Sequence, residues 1–167
     1  MKVLKIIICI AFIVCLWQPF VFSGNNILEF RFADDTKKDN NEEVMMEDEW
    51  GKKEVFIDKE CQLSETDIKF ARAEEFFFSS EKDEAQKANY ALYFKFTEAG
   101  AAKVKEITGR NVNRQLAIIL NGKILFIAAI REQLSIGEMQ LTGNFTKKET
   151  QAAAKQINSA IELLKVE

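Results

Sequence analysis

The chain has 167 residues, with 23 Lys and Arg against 26 Asp and Glu, a formal charge of −3 and no histidine. That acidic balance argues against nucleic acid as a partner, which rewards clustered Lys and Arg, and against electrostatic adhesion to anionic lipid. The lack of histidine removes the usual activating base for a Ser or Cys nucleophile.

Residues 1–23 carry Lys2 and Lys5, an apolar run from Ile6 to Leu16, and Val21-Phe22-Ser23 with small residues at the outer positions. This is the layout of a secretory signal cleaved before Gly24. Gln18 and Pro19 leave the run shorter than the ~20 residues of a spanning helix, with an uncleaved anchor as the alternative. Cys15 follows Val14 rather than a small residue, which disfavours lipidation. Removing residues 1–23 takes the formal charge from −3 to −5 and leaves 144 residues, the size of one domain. Cys9 and Cys15 go with the signal, so Cys61 has no partner for an internal disulfide and is expected to be a buried or idle thiol.

Leu28, Phe30 and Phe32 alternate with Glu29, Arg31 and Ala33, the period-two pattern of a half-buried strand. Residues 34–54 hold nine acidic and four basic residues with little apolar periodicity and are expected to be a flexible, solvated acidic loop. Glu47, Asp48 and Glu49 lack the spaced ligands and glycine turn of a calcium loop, so no metal is expected there. Val55, Phe56 and Ile57 suggest a short strand, and Ser64 with Asp67 a capped helical turn. Residues 71–78 fit a helix by their Ala, Arg and Glu, and a strand by their three phenylalanines.

In residues 90–96, Tyr90, Leu92, Phe94 and Phe96 share one face, with Ala91, Tyr93 and Lys95 opposite. Thr97 is placed to cap a helix with Gly100, Ala101, Val104, Ile107 and Thr108 on its packing face and Gly109 at its end. Arg110, Asn111 and Arg114 follow the C-terminus, where the helix dipole disfavours an anion, so capping and loop bonds are expected of them. Asn121-Gly122 between two apolar runs is the strongest hairpin signal in the chain. The second run, from Ile124 to Ile130, is apolar throughout and suggests a central strand buried on both faces or against a partner. Met139 and Leu141 mark a further strand ended by Gly143. Thr146 and Glu149 form a capping box, and Ala153, Ile157, Ala160, Ile161 and Leu164 the stripe of a last helix. The fold class expected is α+β, an antiparallel sheet with helices packed mainly on one face.

The words YALYFKFTEAGAAKVKEITGRNV and RQLAIILNGKILFIAAIREQLSIGEMQLTGNFTKKETQAAAKQINSAI, with LEFRF at 28–32, resemble the head subdomain of the first periplasmic domain of SecD, in the SecDF protein-export family. The resemblance implies a strand at 71–78, paired with 90–96. It also implies a single head-like domain over 24–167 in the periplasm or extracytoplasmic space of a bacterium, where the acceptor sequon Asn144-Phe145-Thr146 is incidental. In the family the head sits on a ferredoxin-like base and export is coupled to the proton gradient through membrane helices. This sequence shows neither, so binding rather than energy coupling is the expectation.

No glycine-rich phosphate loop, cysteine pair or nucleophile elbow occurs, and pairs such as Glu74 with Glu75 are unspecific. No enzyme activity, cofactor or metal is expected. The resemblance implies a noncatalytic binding module that contacts translocating or unfolded polypeptide, or a component of the Sec translocon, with no membrane span after cleavage. A structural or regulatory envelope protein with one dedicated partner is the alternative. Phe76, Phe77 and Phe78 are the candidate contacts, since aromatic rings bind extended chains without strict sequence preference; core packing competes for at least two of them.

Overall fold

A computed structural model describes residues 26–48, 51–76, 89–135 and 137–165. The expected signal at 1–23 and the connection at 79–87 lie outside them. The strands are β1 (Leu28–Asp34), β2 (Asn41–Asp48), β3 (Gly51–Ser64), β4 (Ile68–Phe76), β5 (Asn89–Phe96), β6 (Gln115–Leu120), β7 (Lys123–Ala129) and β8 (Glu138–Phe145). The helices are α1 (Glu98–Arg110) and α2 (Lys147–Leu164), with a 3-10 turn at Glu65–Asp67. The class is α+β as expected, but the strands form two antiparallel sheets, β2-β3-β1-β6-β7 and β4-β5-β8.

The main core lies where β1 meets β5 and α2 closes over them. Leu28, Phe30 and Phe32 pack with Leu92, Phe94 and Phe96, and α2 adds Ala153, Ala154, Ile157 and Ile161. Phe30 meets Phe94 edge-on, with ring centroids 5.7 Å apart at 71°, the geometry in which a positive ring edge faces a negative ring face. Of the expected α2 stripe, Leu164 is exposed and Thr150 and Ala154 are buried in addition. A second cluster of Ala33, Val44, Val55, Ile57, Ala117 and Ile119 forms on the other side of the five-stranded sheet.

That second cluster corrects three expectations. Residues 41–48, read as loop, are β2, which pairs with β3 from Asn41↔Asp58 to Asp48↔Gly51; the pairing satisfies the backbone, and Val44 supplies a buried apolar side chain. The strand expected at 55–57 is one stretch of the longer β3. Glu29 and Arg31, read as the solvent side of a half-buried strand, are 3 % and 5 % exposed and pair at 2.9 Å. As the middle strand, β1 is covered on both faces, and a buried charge persists only with an opposite partner.

The run at 124–130 also differs from expectation, because β7 lies at the edge of its sheet and is half-buried. Its unbroken apolar character has another cause. The register shifts between Ile118 and Ile119, which leaves Leu125 as an extra residue. Leu125, Phe126 and Ala128 then serve the main core, and Ile124 and Ile127 the second cluster.

The local signals fold as read. Asn121 and Gly122 take φ of 50° and 72°, the pair of positive dihedrals of a type I′ turn. Thr97 caps α1 by accepting the Gly100 N–H at 3.0 Å. Thr146 and Glu149 make the reciprocal capping box of α2, and Ser64 with Asp67 does the same for the 3-10 turn. Two glycines do other work than ending elements. Gly109 lies inside α1, which is terminated by Asn111, whose side-chain amide donates to the Ile107 carbonyl at 2.8 Å. Gly143 lies inside β8, against the Phe126 ring.

Candidate functional site

The three-stranded sheet has one face in the core and one turned outward. Register fixes which side chains share the face opposite Leu92 and Phe94: Arg72↔Tyr93↔Gln140 form one row across the strands, with Glu74↔Ala91↔Thr142 beside it, where Ala91 is fully buried, and Lys95↔Glu138 continue the same face. By the two-residue period of a strand, Phe70, Arg72, Glu74 and Phe76 of β4 share that side, opposite the buried Ala71.

The face is an aromatic and ionic ladder. The Arg72 guanidinium lies 4.2 Å from the Tyr93 ring centroid and 5.8 Å from that of Phe70, and it pairs with Glu74 at 2.6 Å. Phe70 and Tyr93 stand 6.1 Å apart. Lys95 donates to Glu138 at 2.5 Å. The Glu138 carboxyl is held below the usual carboxylate range, by the Lys95 bond first and by the neighbouring Tyr93 hydroxyl second. Lys95 is raised by its bond to Glu138, and Tyr93 by partial burial and then by the bond to Glu138. All three shifts stabilise the protonation states already present at neutral pH.

Of the candidate contacts, Phe76 is the last residue of β4, half-buried, paired with Asn89 and on the outward side. Phe77 and Phe78 lie outside the described residues. The strand that the resemblance implied for 71–78 is present as β4 through Phe76, paired with β5.

The other groups singled out by sequence have structural partners. The Cys61 thiol is half-buried, donates to the Leu63 carbonyl at 3.0 Å, and is pushed above its ordinary pKa first by burial and then by Glu29; that disfavours the reactive thiolate. Arg110 pairs with Glu106 at 2.6 Å. Arg114 stacks 3.9 Å from the Phe32 centroid and reaches Asp34. Glu47 and Asp48 lie on β2, and Glu49 lies outside the described residues. Among the described residues, no group of three or more His, Cys, Asp or Glu side chains could hold a metal ion.

Sequence reading placed Tyr93 and Lys95 together on the face opposite Leu92, Phe94 and Phe96 but missed Glu138 and Arg72 as their partners, because the β5–β8 and β4–β5 registers are long-range. It also missed Asn158 of α2. The Asn158 carboxamide accepts the Ala71 N–H at 2.8 Å and donates to the Ala71 carbonyl at 2.7 Å, so a side chain stands where a neighbouring strand would pair with β4.

The architecture is a two-sheet α+β domain that carries this ladder on one face of its three-stranded sheet. The profile of the SecDF P1 head subdomain matches residues 41–161, most of the chain, and the chain belongs to that family. The protein translocase subunit SecD of Acidaminococcus fermentans is 35% identical over 82 residues, which cover 49% of this chain and 20% of that protein. The same subunit of Calditerrivibrio nitroreducens is 40% identical over 60 residues, covering 36% and 12%. The chain thus spans a fifth or less of the length of these two relatives. Two solved structures share the fold: SecDF in its super-membrane-facing form, with TM-score 0.56 at 19% identity over 80% of this chain and 19% of that one, and SecDF described as a membrane component that enhances protein export, with TM-score 0.52 at 20% identity over 81% and 61%.

Proposed function

We propose that this chain is a noncatalytic extracytoplasmic binding module that contacts translocating or unfolded polypeptide as part of the protein-export apparatus. Membership of the SecDF P1 head family carries the link to export. The observation that supports contact with polypeptide is the outward face of the three-stranded sheet, where Phe76 shares a side with Phe70 and Tyr93, with Arg72, Lys95 and Glu138 among them. Rings supply sequence-tolerant apolar contact, and the fixed ion pairs keep the face soluble. None of the described helices is long and apolar enough to cross a membrane, which agrees with a domain that acts by contact. The signal-like residues 1–23 support an extracytoplasmic location.

Titration of the purified protein against an unfolded secretory protein, with its folded form as control, tests this reading. Micromolar affinity is expected for the unfolded chain, about −8 kcal/mol, and Phe76→Ser is expected to weaken it while the melting temperature holds. Equal binding to both forms, or none to either, removes polypeptide contact and favours a single dedicated envelope partner.

A further inference from the structure

The four sheet edges formed by the described strands are not equally open. β2 carries Glu42, Glu43, Glu47 and Asp48 within eight residues, and charge on an edge resists pairing with another chain. β4 is occupied by the Asn158 carboxamide. β7 (Lys123–Ala129) has a single charge, Lys123 at its first position, and neither a charge nor a proline from Ile124 onward. Beside it lies β8, the edge of the other sheet; the two touch through Phe126 and Phe145, with ring centroids 5.8 Å apart, yet belong to separate hydrogen-bonded sheets.

The main chain of β7 offers bonding groups on its outer side. The Ile130 N–H donates to the Arg114 carbonyl at 2.9 Å, and the Ile130 carbonyl accepts the Asn113 N–H at 2.8 Å, so both groups at Ile130 point toward the β6 side. Alternation in an antiparallel pair gives Ala128 the same direction and turns the N–H and C=O of Ile127 and Ala129 toward the open edge.

A cavity of about 190 Å³ lies at this end of β7, lined by Leu116, Ala128, Leu134 and Met139 and also by Arg131 and Glu132. Its outer wall is anchored to α1, because the Leu134 N–H donates to the Thr108 hydroxyl at 2.9 Å and the Gln133 amide donates to the Lys105 carbonyl at 3.1 Å. An apolar cavity of about 150 Å³ accepts a benzene ring, so this one has room for a leucine or phenylalanine side chain. A strand added beside β7 places the residue opposite Ala128 on the same face as Ala128, at the cavity.

We propose that β7 is a strand-addition site for an extended peptide segment, and that the cavity receives one leucine- or phenylalanine-sized side chain of that segment. Main-chain bonds to Ile127 and Ala129 supply sequence-tolerant affinity, and the cavity supplies preference. The proposal rests on the polypeptide-contact reading above and adds a second, separate surface to it. A foreign segment suits the edge better than a second copy: an antiparallel self-pair centred on the apolar run sets Lys123 of each copy next to Ile130 and near Arg131 of the other, bringing like charges together.

The test is a nuclear magnetic resonance titration of the isotope-labelled protein with an end-blocked Thr-Val-Thr-Leu-Thr-Val-Thr peptide, and with the same peptide carrying Ser for Leu. Shifts are expected at Ile127, Ala129, Leu134 and Met139, with the Ser peptide about tenfold weaker. Ala129→Pro removes an outward donor at an edge that tolerates proline, and Ala128→Leu fills the cavity from inside; each is expected to weaken binding about tenfold. Shifts centred on Phe70, Tyr93 and Phe76 instead, or full affinity in Ala128→Leu and for the Ser peptide, overturn the β7 site and leave polypeptide contact standing. Binding of neither the peptides nor an unfolded secretory protein removes both readings. Self-association without peptide that Ala129→Pro abolishes assigns the edge to a second copy and overturns the proposal.

Discussion

Replacing Asn158 with leucine isolates what one side chain contributes to holding the helix on the sheet. Two main-chain groups of Ala71 lose their partners, at 2.8 and 2.7 Å in the native protein, while the leucine keeps the branched shape and raises the helix propensity. Each such bond has a net worth of about 1 kcal/mol, and partial burial leaves the stranded N–H and C=O incompletely hydrated, so a loss of about 2–3 kcal/mol is expected. For a domain of this size that is a fall in melting temperature of about 6–12 °C. Asn158→Asp sharpens the test. An ionised carboxylate still accepts from the Ala71 N–H but opposes the Ala71 carbonyl, whereas a protonated one can donate to it. The folded state therefore favours the protonated acid and raises its pKa above the unfolded value. Stability is gained as pH falls through the folded pKa and is fully present below the unfolded one. Calorimetric melts of both variants from about pH 7 to pH 3 are the assay, with the leucine variant as the reference for other groups. A leucine variant that melts with the wild type, or an aspartate variant whose difference from it does not narrow in acid, refutes the claim that Asn158 bonds the β4 edge.

Gly122→Val is expected to cost about 1 kcal/mol or more, because φ of 72° is unfavourable for a β-branched residue; an unchanged melting temperature shows that the turn is not type I′. Gly100→Ala places a methyl carbon 2.1 Å from the Asp67 carbonyl oxygen, so a loss of about 1–3 kcal/mol is expected from forced separation of α1 and the 3-10 turn, readable by urea unfolding. Glu149 is held below its ordinary pKa by the Thr146 backbone N–H and then by the Thr146 hydroxyl. Its contribution is therefore present above the unfolded pKa of about 4.3 and lost as pH falls through the lower folded value. Melts of Glu149→Gln across that range should lack this part of the acid loss.

How much of the fold the sequence reveals depends on how local its causes are. The Asn121-Gly122 turn, the Thr97 cap and the two capping boxes lie within three or four residues of the groups they bond, and all form as read. The β2 strand was hidden because half of its residues are acidic and only pairing with β3 satisfies its backbone; the same composition in isolation reads as loop. Burial of Glu29 and Arg31 was hidden because alternation shows that one face of β1 is apolar and nothing local shows that the other face is covered too. For the outward face, Tyr93 and Lys95 were legible from the alternation in β5. Their partner Glu138 comes from a strand more than forty residues away, and no local pattern specifies that register. Asn158 was missed for the same reason: on a helical wheel it is one more polar residue, and its role exists only once β4 lies beside it.

The acidic groups on which the fold depends are mostly employed as acceptors for its own backbone. The Glu65 carboxylate accepts the N–H groups of Ile27 and Leu28 at 3.1 and 3.0 Å, which fixes the start of β1. Asp67 accepts from Ser64 within its capping box and from Lys103 at 2.7 Å, and its carbonyl accepts the Thr97 N–H at 2.9 Å. One 3-10 turn thereby joins the first sheet, the second sheet and α1. Carboxylates bonded in this way already have acceptor lone pairs engaged by the fold's own donors. Among the described residues, the face opposite Leu92 and Phe94 has its charges paired, and the β7 edge carries one charge, Lys123, beside a cavity. On the two proposals above, the face would offer rings and the edge main-chain bonds to an extended chain, and neither requires a particular side-chain charge from the partner.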